Sequence, residues 1–242
     1  MKVLILNSGM GKRMGELTSE HPKCMTVIND KGDTILSKQL KIIQKNGIRE
    51  VVITTGLFDK VLIEYCNSLK LDLDITFVNN QIYDKTNYIY SIYKAKDKVL
   101  DDIILMHGDL VFSEEVYKMV LSHANSCMVV SGTKELPDKD FKAVIYDENS
   151  KKMISKVGIE FFDSAMSAQP LYKIDKENWI KWLKKIEEYC ENGNTNCYAE
   201  NAFNDLNGEC KIEALDIEDS LCEEIDTVED YLRLYEILKD ER

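Results

Sequence analysis

The chain has 242 residues, 44% of them hydrophobic and 31% charged, which supplies a sizeable core and excludes an intrinsically disordered segment. Its formal net charge of −12 sets most of the surface against nucleic acid and anionic membranes, and no apolar run approaches the ~18 residues of a membrane span. An anionic substrate would therefore need local positive charge or a metal cation.

In chain order, residues 3–6 form a continuous apolar run that stops at Asn7-Ser8-Gly9. This is the pattern of a buried parallel strand ending in a tight turn. Residues 35–45 put Leu36, Leu40 and Ile43 on one helical face, and Asn46-Gly47 supplies the stop. Residues 51–55 are β-branched throughout and predict a second buried strand. A helix is predicted over 60–69, a strand over 75–78, a helix over 88–95, and a fourth strand over 103–106 that ends at His107-Gly108-Asp109. Such alternation predicts an α/β fold with a doubly wound, mostly parallel, Rossmann-like sheet. Ligands in these sheets lie beyond the carboxyl ends of the strands, which directs attention to residues 7–15 and 107–110.

The second half is less regular. A strand is predicted over 127–132, then a hairpin of 143–146 and 153–157 around Asp147-Glu148-Asn149-Ser150. Trp179, Trp182, Leu183 and Ile186 share one stripe of a helix over 175–191, the pattern of a core face, and a last helix closes the chain over 227–239. No repeat, low-complexity tract or linker divides the chain, so 1–242 reads as one unit. The cysteines number seven, with no C-x-x-C pair. That argues against disulfide and zinc frameworks and suits a reducing cytoplasm. The N-terminal MKVLILNSGMGKR is too short in apolar residues for a signal peptide.

The first chemical signal is the loop Asn7-Ser8-Gly9-Met10-Gly11-Lys12-Arg13-Met14. Glycines after a first strand let backbone N–H groups approach phosphates closely. A Walker A loop is excluded by Leu6 at its first glycine position and by Arg13 at its Ser/Thr position. A dinucleotide fingerprint is excluded by Met14 at its third glycine position. Leu6, Gly9, Gly11, Arg13 and Met14, followed by Pro22-Lys23, instead resemble the signature of the sugar-nucleotidyltransferase family.

That resemblance implies specific roles. Residues Asn7, Ser8, Gly9, Met10, Gly11 and Lys12, with Gly108, would hold the nucleotide. Arg13 and Lys23 would neutralise charge on the transferring phosphoryl group. Gly108-Asp109 closes strand four, and Glu223-Glu224-Ile225-Asp226-Thr227 forms a late acidic element. In the family these two places supply Mg²⁺ ligands, here Asp109 and Asp226. From the residues alone, Asp226 or Thr227 is also a helix cap, and His107 reads as packed at a strand end.

One stretch narrows the branch. Asn80, Tyr83, Asn87, Tyr90, Ser91 and Tyr93 fall in a pattern that resembles the phosphocholine cytidylyltransferase branch, as does the closing EIDTVEDYLRLYEIL. The resemblance implies that Asn80, Asn87 and Ser91 contact the nucleoside. Tyr90 and Tyr93 read as a half-buried helix face. Ser8 stands where alanine is usual, and His107-Gly108-Asp109 lacks a further acidic residue expected of choline-type enzymes, which leaves the acceptor open.

The implied activity is transfer of CMP from CTP to a small phosphate or phosphonate. Phosphocholine, phosphoethanolamine, 2-aminoethylphosphonate and a phosphorylated amino acid amide are the candidates. Residues 1–110 would form the nucleotide side and 111–222 the acceptor side, with the hairpin and helix as a small acceptor-binding insert. Lys142 and Lys156 are candidates for the acceptor phosphate, against a reading as solvated lysines. Glu200, in Tyr198-Ala199-Glu200-Asn201, is a candidate for an acceptor amine or for metal, against a reading as a helix-surface carboxylate. Glu224 shares a strand face with Asp226 and is placed with the acceptor. Two alternatives stand: a sugar-1-phosphate transferase using UTP or dTTP, and a non-catalytic nucleotide sensor.

Overall fold

The structure is a computed structural model and describes residues 1–239. In chain order the elements are β1 (Lys2–Leu6), α1 (Ile35–Lys45), β2 (Glu50–Thr55), α2 (Asp59–Ser68), β3 (Asp74–Asn79), α3 (Tyr88–Ala95), β4 (Ile103–His107), β5 (Leu110–Phe112) and α4 (Glu114–Ser122). There follow β6 (Cys127–Ser131), β7 (Lys142–Glu148), β8 (Lys151–Gly158), β9 (Ala165–Ile174), α5 (Lys176–Glu191), α6 (Ala199–Asn204), β10 (Glu213–Asp216), β11 (Cys222–Glu224) and α7 (Val228–Leu238).

One nine-stranded sheet runs through both halves in the order β3-β2-β1-β4-β9-β6-β10-β8-β7. Its first four strands are parallel, with Val3 opposite Val51 and Ile104. β1 and β4 are almost fully buried because helices cover both faces, which is why they read as unbroken apolar runs. Leu4, Leu105, Ile92, Trp179 and Trp182 pack on one side of the sheet, and Ile5, Leu40, Ile43, Met106 and Val116 on the other. Both tryptophans are fully buried, and their indoles donate to the Val99 and Ala199 carbonyls at 2.8 and 2.9 Å. Among the described residues, no helix is long and apolar enough to cross a membrane.

Beyond β4 the sheet is mixed rather than parallel. β9 enters antiparallel between β4 and β6, and β10 runs parallel to β6. Pro170 lies within β9 without breaking it. The register against β6 shifts between Met128 and Val130, so the residue lacking an N–H falls at a bulge. The predicted hairpin is β7–β8, closed by Asn149 and Ser150, both at positive φ, as a two-residue primed turn demands.

A separate two-stranded sheet pairs β5 with β11, setting Leu110 opposite Glu224 and Phe112 opposite Cys222. It places the late acidic element beside the end of β4. The Ile225 amide donates to the Asp109 carbonyl at 3.0 Å. α7 then packs through Leu234 and Leu238 against Met14, Ile28 and Ile35, beside the first loop.

Candidate active site

A cleft of about 490 Å³ opens at the carboxyl ends of β1 and β4, lined by residues from the first loop, α3, β4 and β11. That volume lies in the usual range for small-molecule sites. Residues 7–13, Lys23, Asn80, Asn87, Ser91, Asp109, Glu224 and Asp226 all line it. Sequence positions more than 200 residues apart are thus brought to one place.

The loop is fixed from below. The Asn7 amide and the Ser8 hydroxyl both donate to Thr54 Oγ1 at 3.0 Å. Gly11 adopts φ +61°, and Thr18 Oγ1 donates to its carbonyl at 2.9 Å. The amides of Gly9, Met10 and Gly11 have no hydrogen-bond partner among the described residues. They are available to phosphate oxygens. Gly108 is needed for a steric reason: a Cβ there would stand 2.7 Å from Asn7 Oδ1.

Beside the loop, Lys23 Nζ donates to Asp109 Oδ2 at 2.6 Å and to Asp226 Oδ1 at 2.8 Å. Arg13 pairs with the same Asp226 oxygen at 3.0 Å. Thr227, not Asp226, caps α7: its Oγ1 accepts from the Asp230 amide at 3.2 Å, and Asp230 Oδ2 accepts in return from the Thr227 amide at 2.8 Å. The capping box leaves Asp226 free to face the cleft.

His107 is part of the site. Its Nδ1 bonds Glu224 Oε1 at 2.8 Å, and its ring meets the edge of Tyr88 at 4.8 Å. Burial opposes charge on His107, but the Glu224 and Asp109 carboxylates outweigh it and push its titration up to about 9. Burial and the Asp109 charge push Glu224 up to about 7, with His107 acting the other way. Burial also raises Asp109, yet Lys23 and His107 hold it below the usual carboxylate range. Burial works against the Lys23 ammonium, and its two carboxylates keep it charged well past the ordinary lysine range.

Asn80 and Ser91 border the cleft, though both are nearly fully buried. Their polar atoms form one chain beneath the loop: Asn80 Nδ2 donates to Ser91 Oγ at 3.0 Å, and Ser91 Oγ lies 2.8 Å from Ser8 Oγ. Asn87 caps α3, its Oδ1 accepting from the Tyr88 amide at 2.7 Å. Tyr90 and Tyr93 pack against the core.

Three acceptor candidates lie elsewhere. Lys142 is fully buried, and its ammonium donates to the Pro137 and Asp140 carbonyls at 2.5 and 3.2 Å. It is neither in the cleft nor a solvated lysine, because its chain turns under the preceding loop. Lys156 is exposed on β8, outside the cleft, with its ammonium 5.9 Å from the Phe161 ring. Glu200 is only 2% exposed. It accepts from the Tyr88 and Tyr172 hydroxyls, the latter at 2.8 Å, so it backs the cleft wall rather than lining it. The cleft is lined also by Lys139, Asp140, Phe141, Ile159 and Tyr198. No motif marks these residues, since they meet only when β7, β8 and α6 have packed.

The donor set fits a hard divalent cation. Asp109 and Asp226 both turn to one cationic point, and His107, Asp109 and Glu224 each place a ligand atom within 4.8 Å of one another. Lys23 and Arg13 are already paired with carboxylates, so a triphosphate brought here needs further positive charge.

Comparison with known proteins agrees with this geometry. The model of the MobA-like NTP transferase domain matches residues 3–172. A CTP:phosphoglutamine cytidylyltransferase of Campylobacter jejuni is 30% identical over 168 residues, covering 66% of this chain and 64% of that protein. The chain thus spans a little under two thirds of that relative's length. A choline-phosphate cytidylyltransferase of Streptococcus pneumoniae is 25% identical with both chains covered in full. The solved structure of the CTP:phosphocholine cytidylyltransferase of S. pneumoniae superposes with a TM-score of 0.74 at 20% identity, over 98% of this chain and 99% of that one, a likeness of fold. On the domain match across residues 3–172, this chain belongs to the MobA-like NTP transferase family.

Proposed function

We propose that this enzyme transfers CMP from CTP to a small phosphate- or phosphonate-bearing acceptor and releases pyrophosphate. The observation that carries the reading is the convergence of Lys23, Arg13, Asp109 and Asp226 in the cleft that the glycine loop also lines. The cytidylyltransferase names of the two relatives support the choice of nucleotide.

In this reading loop amides from Gly9 to Gly11 hold phosphate oxygens, and Asn87, which lines the cleft, is assigned to the nucleoside. Asp109 and Asp226, with Glu224 beside them, would hold Mg²⁺. When bound, Mg²⁺ supplies charge neutralisation across the triphosphate. An acceptor oxygen that is already ionised needs no general base. It attacks the α-phosphorus in line, the bond to the bridging oxygen breaks, and pyrophosphate leaves. Lys23 and Arg13 offset the charge that gathers on the oxygens in flight. Catalysis is then positioning and electrostatics without a covalent intermediate. The nucleotide side is assigned to 1–110 and the acceptor side to 111–222. A reducing cytoplasm suits the seven free thiols.

The test is pyrophosphate release with Mg²⁺ and CTP across phosphocholine, phosphoethanolamine, 2-aminoethylphosphonate, phosphorylated amides and sugar 1-phosphates. CTP-dependent release with one of the first four classes is expected. Turnover confined to UTP and a sugar 1-phosphate would move the chain to the sugar branch. Binding of CTP without turnover would favour a sensor.

A further inference from the structure

We infer that Lys142 is a positioning residue: its buried ammonium ties together the two loops that wall the acceptor side of the cleft. It thereby sets acceptor affinity without touching the acceptor. The inference rests on the proposed transfer reaction.

A buried ammonium is costly unless its donors are satisfied. Lys142 is fully buried at the start of β7, and its donors go to main-chain carbonyls rather than to a carboxylate. The acceptors are Pro137 and Asp140, at 2.5 and 3.2 Å, in the loop before β7. On its other side the ammonium lies 4.2 Å from the centroid of Phe162, in the β8–β9 connection. That is a cation–π distance. Each loop contributes to the cleft: Lys139, Asp140 and Phe141 from the first, Ile159 from the second.

The tie matters because the first loop has little else. Among the described residues, the two bonds to Lys142 are the only hydrogen bonds made by residues 135–140. Lys139 is exposed, lines the cleft and has no ion-pair partner among the described residues. An ammonium held there suits the anionic group of an acceptor. Phe141 is held by the core and by the Ala168 amide, but without the Lys142 anchor Lys139 loses its fixed place and the acceptor must order the loop itself. Lys142→Met keeps the volume and removes the donors; Phe162→Leu removes only the ring face of a half-exposed residue.

Steady-state kinetics on both variants and on Lys142→Arg decide the matter. We expect Lys142→Met to raise the acceptor KM at least tenfold with the CTP KM within twofold of wild type. Phe162→Leu should move it two- to threefold in the same direction, and Lys142→Arg should recover part of the loss. Acceptor KM values unchanged in Lys142→Met and Phe162→Leu, or acceptor KM, CTP KM and kcat all shifting together, would overturn the inference. Trypsin cleavage after Lys139 gives a readout that needs no substrate, and it should quicken in both variants. Unchanged cleavage refutes the tie even in an active enzyme. Faster cleavage in a protein whose wild type shows no CTP-dependent transfer upholds the tie and refutes the functional reading.

Discussion

Lys23 neutralises two carboxylates that reach it from distant parts of the chain, Asp109 and Asp226. Removing it leaves both facing one another, so Lys23→Ala should lose at least a hundredfold in kcat and about 3 kcal/mol of stability in chelator. Added Mg²⁺ should restore the thermal midpoint without restoring turnover; a midpoint indifferent to Mg²⁺ argues against metal between these carboxylates. Gly108→Ala tests the close approach to Asn7. Its Cβ would meet Asn7 Oδ1 at 2.7 Å, and such overpacking costs about 1–3 kcal/mol. A raised CTP KM should accompany that loss, and an unchanged KM would show that Asn7 does not shape the loop. Residues of this kind were legible because their chemistry is local: a glycine spacing, Pro-Lys, Gly-Asp. Lys142 and Glu200 were misplaced because nothing in their neighbours tells whether a long polar side chain turns outward or back into the fold. His107 was read as packed. Its role at the cleft floor comes from Glu224, 117 residues away.

At the scale of elements, α5 shows how a helix end carries a pH signature. Its N-cap Asp175 accepts from the Asn178 amide at 2.9 Å and from the Ser126 hydroxyl. Burial alone would raise the Asp175 pKa, but these bonds outweigh it and hold the pKa below normal. A depressed folded value means stabilisation present above the unfolded pKa of about 3.9 and lost as pH falls through the folded one. Asp175→Ala should therefore cost about 1 kcal/mol near neutrality. In urea titrations the gap to wild type should close as pH falls below the unfolded value of about 3.9. A gap constant with pH would mean that the capping charge contributes nothing. Elements with one clear signal, an unbroken buried run in β1 and β2 or a helical stripe in α1 and α5, were readable in the sequence. β9 was not: Pro170 and the small residues around it suppress a strand signal that only the bulge against β6 makes tolerable. β5 and β11, at three residues each, are too short to show a period at all.

Over the whole molecule, the doubly covered sheet decides which thiols can react. Burial pushes Cys66, Cys127, Cys190 and Cys210 up to about 12, and Cys24 and Cys222 are also raised by burial. At pH 8 a thiol near 12 is ionised in only about one molecule in ten thousand, and the thiolate is the reactive form. Native protein should therefore give rapid labelling by a disulfide reagent at Cys197 alone, which is partly exposed, and at all seven in guanidinium. Fast reaction of several cysteines without denaturant would contradict the packing. The alternation that predicted the parallel half extends over residues 1–110, whereas the mixed half depends on pairings between distant strands. The β5–β11 pairing has a consequence for biogenesis. Asp109 meets Asp226 only after β11 has docked, and the first loop gains its Met14 packing and its Arg13–Asp226 pair only when α7 follows, so a nascent chain whose residues 213–239 are still in the ribosome tunnel has neither a finished loop nor a second carboxylate. A separately made peptide bearing β11 and α7 should therefore restore CTP binding and turnover together to the truncated chain, and recovery of one without the other would contradict this shared dependence.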